Sequence, residues 1–175
     1  MPSSQVWQEG QVRGGSNLIF VTVGMHPTGF ERLVREMDKV AGKIDEEVIM
    51  QIGGTKYIPL NAKHFGFGTE DEVKLLCQKA RIVVTHGGVG TILNVLQGGA
   101  TVIAVPRLEK YAEAIDDHQL VFIQELEKKG RITAVYDVES LEEALRKVHA
   151  KPAQLAEDTS LVNALKMCIA KFERK

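Results

Sequence analysis

The chain has 175 residues, enough for one domain with a real core and too few for two full nucleotide-binding halves. Its 22 basic and 23 acidic residues leave a formal charge of -1, which argues against an electrostatic nucleic-acid binder, and no polyanionic partner is expected. Two cysteines, Cys77 and Cys168, form no Cys-x-x-Cys pair and read as buried free thiols of a cytosolic chain, and no apolar run approaches the roughly 20 residues that span a bilayer.

Residues Met1 to Asn17, rich in Ser, Gln and Gly with a lone Trp7, read as a flexible N-terminal arm, native or an expression remnant. The domain itself is expected over 18–175. Leu18 to Val23 is a continuous apolar run ending at Gly24, the pattern of a buried strand in a parallel sheet. Phe30, Leu33, Val34, Met37 and Val40 follow at helical spacing, and Glu47 to Ile52 is a second strand closed by Gly53-Gly54. A short strand is expected around His64 to Phe67. Thr69 then caps a helix from Glu70 to Lys79, with Glu72 at the capping-box position.

Ala80 to Thr85 is a strand, Val89 to Gly98 a helix stopped by Gly98-Gly99, and Thr101 to Val105 a strand ended by Pro106. Asp116 to Lys129 reads as a helix ended by Gly130, Ile132 to Tyr136 as the last strand, and Leu141 to His149 and Leu155 to Phe172 as helices. Strands alternating with helices define an α/β chain with a doubly wound parallel sheet, in which ligands sit beyond the carboxyl ends of the strands.

The most informative stretch is therefore His86-Gly87-Gly88-Val89-Gly90-Thr91, between a strand and a helix. Glycines let the backbone approach an anion, the helix start presents unpaired N–H groups and the positive dipole end, and Thr91 adds a hydroxyl; the ligand these suit is a nucleotide or phosphorylated sugar. The stretch is neither a Walker A loop nor Gly-x-Gly-x-x-Gly, and a tight turn alone also accounts for glycines. The other strand ends carry Gly24-Met25-His26-Pro27, Gly53-Gly54-Thr55 and Pro106-Arg107, so small, polar or basic residues converge on one sheet edge. Asp116-Asp117-His118-Gln119 opens the next helix; the acids serve equally as caps, while His118 and Gln119 suit sugar hydroxyls. No second histidine stands at helical spacing from this cluster, so no metal site is expected.

The segment from His86 to Gln119, with Phe20 to Pro27 and Val48 to Tyr57, resembles the donor-binding half of GT-B-fold glycosyltransferases. It is most similar to the small subunit of two-part enzymes, namely the UDP-N-acetylglucosamine transferase of lipid-linked oligosaccharide synthesis and bacterial exopolysaccharide glycosyltransferase subunits. The resemblance covers roughly Leu18 to Leu145 and implies a single Rossmann-like sheet equivalent to the C-terminal half of a GT-B enzyme.

It further implies that Gly87, Gly88, Gly90 and Thr91 hold the donor diphosphate, that Gly24 and Met25 face it across the cleft, and that Asn94 meets the ribose. Related enzymes carry an acidic residue where Asn94 stands, and Thr where Met25 stands. Asp117, His118 and Gln119 would meet the donor sugar. His26 and His86 are the catalytic candidates, each able when protonated to offset the charge that grows on the leaving diphosphate. The implied activity is an inverting transfer of a hexose or N-acetylhexosamine from a UDP-sugar, UDP-N-acetylglucosamine first, with no metal or other cofactor required. The acceptor would be lipid-linked and held by a membrane-associated partner subunit, leaving this chain cytoplasmic and peripheral to the membrane. A non-catalytic nucleotide-binding or regulatory module is the alternative that Asn94 and Met25 leave open.

Overall fold

A computed structural model describes residues 17–115 and 118–148, the side chain of His118 excepted. Residues 1–16 of the expected arm, Cys168 and the expected helix Leu155 to Phe172 lie outside the described residues, as do Asp116 and Asp117.

Among the described residues six strands form one parallel sheet: β1 (Leu18–Thr22), β2 (Glu47–Gln51), β3 (Lys63–Phe65), β4 (Ile82–His86), β5 (Thr101–Val105) and β6 (Thr133–Ala134). Their order across the sheet is β3-β2-β1-β4-β5-β6. The chain thus runs outward from β1 to one edge, crosses back, and runs outward again from β4. The reversal between β1 and β4 opens a crevice at their carboxyl ends, the place where such sheets bind ligands.

Among the described residues five helices cover the two faces: α1 (Glu31–Ala41), α2 (Glu70–Lys79), α3 (Val89–Gln97), α4 (His118–Lys128) and α5 (Leu141–Lys147). On one face Ile19, Val21, Met50 and Val84 pack with Leu33 and Met37 of α1 and Leu141 of α5. On the other, Phe20, Ile49, Val83 and Val102 pack with Leu76 of α2, Ile92 of α3 and Phe122 of α4. Alternate residues of each strand supply opposite faces, and burial on both explains the unbroken apolar runs.

The element bounds agree with the sequence reading to within two residues, and two of the differences matter. His86 is the last residue of β4 rather than the first of the turn. The final strand, expected over Ile132 to Tyr136, is reduced to Thr133–Ala134, because it pairs on one side only, with Ile103 and Ala104 of β5. The expected capping box on α2 is present in both directions, Thr69 accepting from the Glu72 N–H and Glu72 from the Thr69 N–H.

Candidate functional site

At the crevice the inner strands change character at their last residues. On the face that buries Phe20, Ile49 and Val83, the row ends in Gln51, Thr22 and Thr85, in register across β2, β1 and β4 and each no more than 1% exposed. The Thr22 hydroxyl donates to Gln51 Oε1 and accepts from the Gly24 N–H at 3.3 Å. Gly24 then turns the chain with φ +76°, a conformation that favours glycine.

Above this row lies a cavity of about 520 Å³. One wall is the start of α3, with Gly88, Gly90, Thr91 and Asn94; the opposite wall is α2, with Thr69, Val73 and Cys77. Gly24, Met25 and His86 close it on the β1 and β4 side, over a floor of Thr22 and Gln51.

The two helix starts facing this space differ. That of α2 is satisfied by its own capping box and followed by Glu70, Asp71 and Glu72. That of α3 has Gly88 as its cap residue, no side-chain cap hydrogen bond and no acidic residue in its first turn. Its first N–H groups and dipole end are therefore left for an external acceptor, whereas at α2 the capping box answers the Glu72 and Thr69 N–H groups and three acidic residues face the dipole end.

His86 sits with its ring between two glycines: a β-carbon on Gly24 would lie 2.4 Å from Cε1, and one on Gly88 2.4 Å from Nε2. Burial pushes the imidazole pKa down to about 4; the Arg107 charge and, less so, His26 act the same way, against a hydrogen bond with the Thr22 backbone. Without a bound anion His86 is thus neutral at pH 7; a diphosphate placed beside it would act in the opposite direction, toward the protonated ring.

Arg107, which follows β5, is 2% exposed. It donates to the Gly29 carbonyl at 2.8 Å and the Val23 carbonyl at 3.2 Å, and its guanidinium lies 4.6 Å from the centre of the Phe30 ring. It therefore ties down both ends of the loop that carries Met25 and His26. Burial holds its pKa below the usual arginine value, partly offset by Glu113. Arg32 of α1 braces the same region, with two hydrogen bonds to Glu113 at 3.0 and 2.8 Å and one to the Pro106 carbonyl at 2.9 Å.

The structure thus brings Gly24, Met25, His86, Gly88, Gly90, Thr91 and Asn94 to one cavity. It places His26, Gly87 and Gln119 outside that lining. His26 is exposed outside the lining, its Nδ1 accepting from the Thr28 N–H at 3.2 Å. Gly87 is turned to α4, where a β-carbon would meet the Gln119 Cβ at 2.7 Å, so close helix packing accounts for this glycine. Gln119 accepts a long 3.4 Å contact from the Arg107 N–H. Asp117 and the His118 side chain lie outside what is described. Sequence reasoning missed Thr22, Gln51 and the α2 wall, although polar Thr22 and Gln51 closing apolar runs are a readable signal. Cys77 is buried as expected, with its thiol pushed by burial up to about 12. Among the described residues, no group of three or more His, Cys, Asp or Glu side chains is placed to hold a metal ion, and no helix is long and apolar enough to cross a membrane.

A parallel sheet of this strand order, with an open helix start at its switch point, defines the class as a nucleotide-fold domain. Residues 18–171 match the glycosyltransferase family 28 C-terminal domain, and the chain belongs to that family. It is 27% identical over 125 residues to the UDP-N-acetylglucosamine transferase subunit ALG13 of Homo sapiens, a match covering 65% of this chain and only 10% of that protein's length. Among solved structures, an NMR solution structure of ALG13 superposes with a TM-score of 0.60 at 17% identity, over 86% of this chain and 95% of that one. MurG of Acinetobacter baumannii superposes with a TM-score of 0.59 at 15% identity, over 89% of this chain and 50% of that one. The glycotransferase of kitacinnamycin gives 0.56 at 21% identity, over 92% and 40%. The fold is the C-terminal half of a GT-B glycosyltransferase.

Proposed function

We propose that this chain is the donor-binding catalytic subunit of a heteromeric, inverting glycosyltransferase that uses a UDP-sugar, UDP-N-acetylglucosamine first. The observation that carries the proposal is the uncapped start of α3 opening on the switch-point cavity. Membership of the glycosyltransferase family supports it, as does the likeness to a protein named as a UDP-N-acetylglucosamine transferase subunit.

In the proposed reaction an acceptor hydroxyl attacks the anomeric carbon from the face opposite the diphosphate. The new C–O bond forms as the old one breaks, the hydroxyl proton passes to a base, and UDP leaves with the bonding pair. Negative charge therefore grows on the diphosphate, where N–H groups at Val89, Gly90 and Thr91 and the Thr91 hydroxyl are available as fixed donors. Such preorganised donors contribute a few kcal/mol each, about 3 for a well-placed one, so the scheme requires no metal. Asn94, one helical turn beyond Thr91 and on the same wall, is the ribose contact in this reading. Asp117, His118 and Gln119 remain the sugar contacts.

The base, the lipid-linked acceptor and the membrane attachment belong in this proposal to a partner subunit, which would hold the chain at the cytoplasmic membrane surface. The test is transfer of labelled N-acetylglucosamine from its UDP donor to a lipid-diphosphate acceptor by membranes containing the co-expressed partner, with and without this chain. Transfer that needs both components supports the proposal; transfer by this chain alone contradicts the two-subunit arrangement, and no donor turnover in the complex contradicts the enzyme reading.

A further inference from the structure

We infer that Gln51 is a further binding residue of this site, its side-chain Nε2 donating a hydrogen bond to an anionic oxygen of the nucleoside diphosphate in place of the Met25 thioether. The inference rests on the donor-site reading above and adds to it a residue on the sheet floor, opposite the glycine wall.

The orientation of the Gln51 amide follows from its neighbours. The Thr22 hydroxyl donates to Gln51 Oε1 while its oxygen accepts the Gly24 N–H at 3.3 Å, and a reversed amide would set Oε1 against the Met25 sulfur, two acceptors with no proton between them. That leaves Nε2, a two-proton donor, pointing away from Thr22. Its partner is Met25 Sδ at 3.6 Å, a weak acceptor. A side chain 1% exposed thus presents a poorly answered donor to the cavity it lines. A buried donor with a poor acceptor retains most of its desolvation cost and gains strongly when an ionised oxygen replaces it.

Nearby groups leave this role open. His86 is neutral at pH 7, and both terminal nitrogens of Arg107 bond backbone carbonyls of the β1–α1 loop. Met25 covers Gln51 but is itself 64% exposed, so its side chain has solvent to move into when a ligand enters. The floor donor and the α3 N–H groups would then hold the diphosphate from two sides.

The experiment is calorimetric titration of the full chain with UDP and with uridine, for wild type, Gln51→Met, Gln51→Glu and Met25→Leu, each checked for folding by thermal melting. Wild type should prefer UDP to uridine. Gln51→Met should weaken UDP about tenfold, the size of a lost hydrogen bond to a charged group, and leave uridine within about twofold. Gln51→Glu should weaken UDP further, by placing a carboxylate against the diphosphate, and the deficit should narrow as pH falls and the carboxyl protonates. Met25→Leu keeps the Thr22–Gln51 bond and removes the competing sulfur, so it should tighten UDP by about two- to threefold even where a Gln51 variant fails to fold.

Unchanged UDP affinity in a folded Gln51→Met, equal losses for UDP and uridine, or no tightening in Met25→Leu would overturn the inference and leave the donor site standing. Absence of UDP binding by the wild type would overturn the donor-site reading and this inference together.

Discussion

The imidazole of His86 occupies the space that a side chain on Gly88 would need, with Nε2 2.4 Å from the position of a Gly88 β-carbon. Gly90, two residues on, has nothing within 4 Å of the same position. One glycine is held by protein packing and the other faces the cavity. Gly88→Ala should therefore lower stability by about 1–3 kcal/mol, the range for overpacking, and weaken UDP. Gly90→Ala should leave stability unchanged or raise it by up to about 1 kcal/mol, since alanine is the better helix former, yet still weaken UDP. Chemical denaturation alongside ligand titration separates the two; a Gly90→Ala that binds UDP normally would remove that glycine from the site.

Neutral His86 makes stability depend on acidity in a defined direction. With the folded pKa near 4 against the ordinary histidine value of 6.5, the unfolded chain binds the proton first, so this group's contribution to stability falls as pH drops from about 6.5 to about 4, then levels. An NMR titration should show the His86 ring neutral through pH 6, and in His86→Gln the acid side of the stability curve should flatten over that window. A ring that titrates near 6.5 would contradict the described burial.

Arg107 joins the β5 end to both ends of the β1–α1 loop, and lysine cannot reproduce a two-pronged, ring-stacked contact. Arg107→Ala is expected to cost about 3 kcal/mol, and Arg107→Lys to retain only part of that. Amide exchange near Met25 and His26 should accelerate in both variants. Exchange that speeds up everywhere equally would mean a general loss of fold rather than release of this loop.

On the far side of the sheet, buried Asp38 accepts from the Tyr57 hydroxyl at 2.6 Å, the Leu60 N–H at 3.0 Å and the Asn61 N–H at 2.7 Å. Burial alone would raise its pKa; the hydrogen bonds from Tyr57 and the Asn61 and Leu60 backbones outweigh it, and the pKa is lowered. Its contribution is thus full above the unfolded value near 3.8 and is lost as pH falls through the lower folded value. Asp38→Asn should destabilise by about 2 kcal/mol, because an amide turns a donor toward groups that are themselves donors. Urea melts at pH 7 check this, with the deficit shrinking as pH falls below the ordinary carboxyl value of 3.8.

Much of this was legible in the sequence because strand, turn and helix signals agreed locally. The runs at Leu18 and Thr101, the Thr69 capping box and the glycine turn each name their own structure. The site was less legible where contacts join distant segments. Gln51 and Thr22 are 29 residues apart and meet only through strand register. Gly87 reads like its neighbours in the turn, yet its reason lies in α4, which no local pattern discloses. The desolvation that lowers the His86 pKa has no mark in the sequence, and Arg107 stands among the strand-end residues although its two terminal nitrogens bond the Gly29 and Val23 carbonyls.

The central claim, that the switch-point cavity holds a uridine diphosphate, is tested most directly by calorimetric titration of the purified chain with UDP, with ADP as control and Gly88→Asp as the blocked site. Saturable binding of UDP in preference to ADP, abolished in a Gly88→Asp variant that thermal melting shows to be folded, is the expected result. Equal affinity for the two nucleotides, or UDP binding that persists in Gly88→Asp, would contradict it.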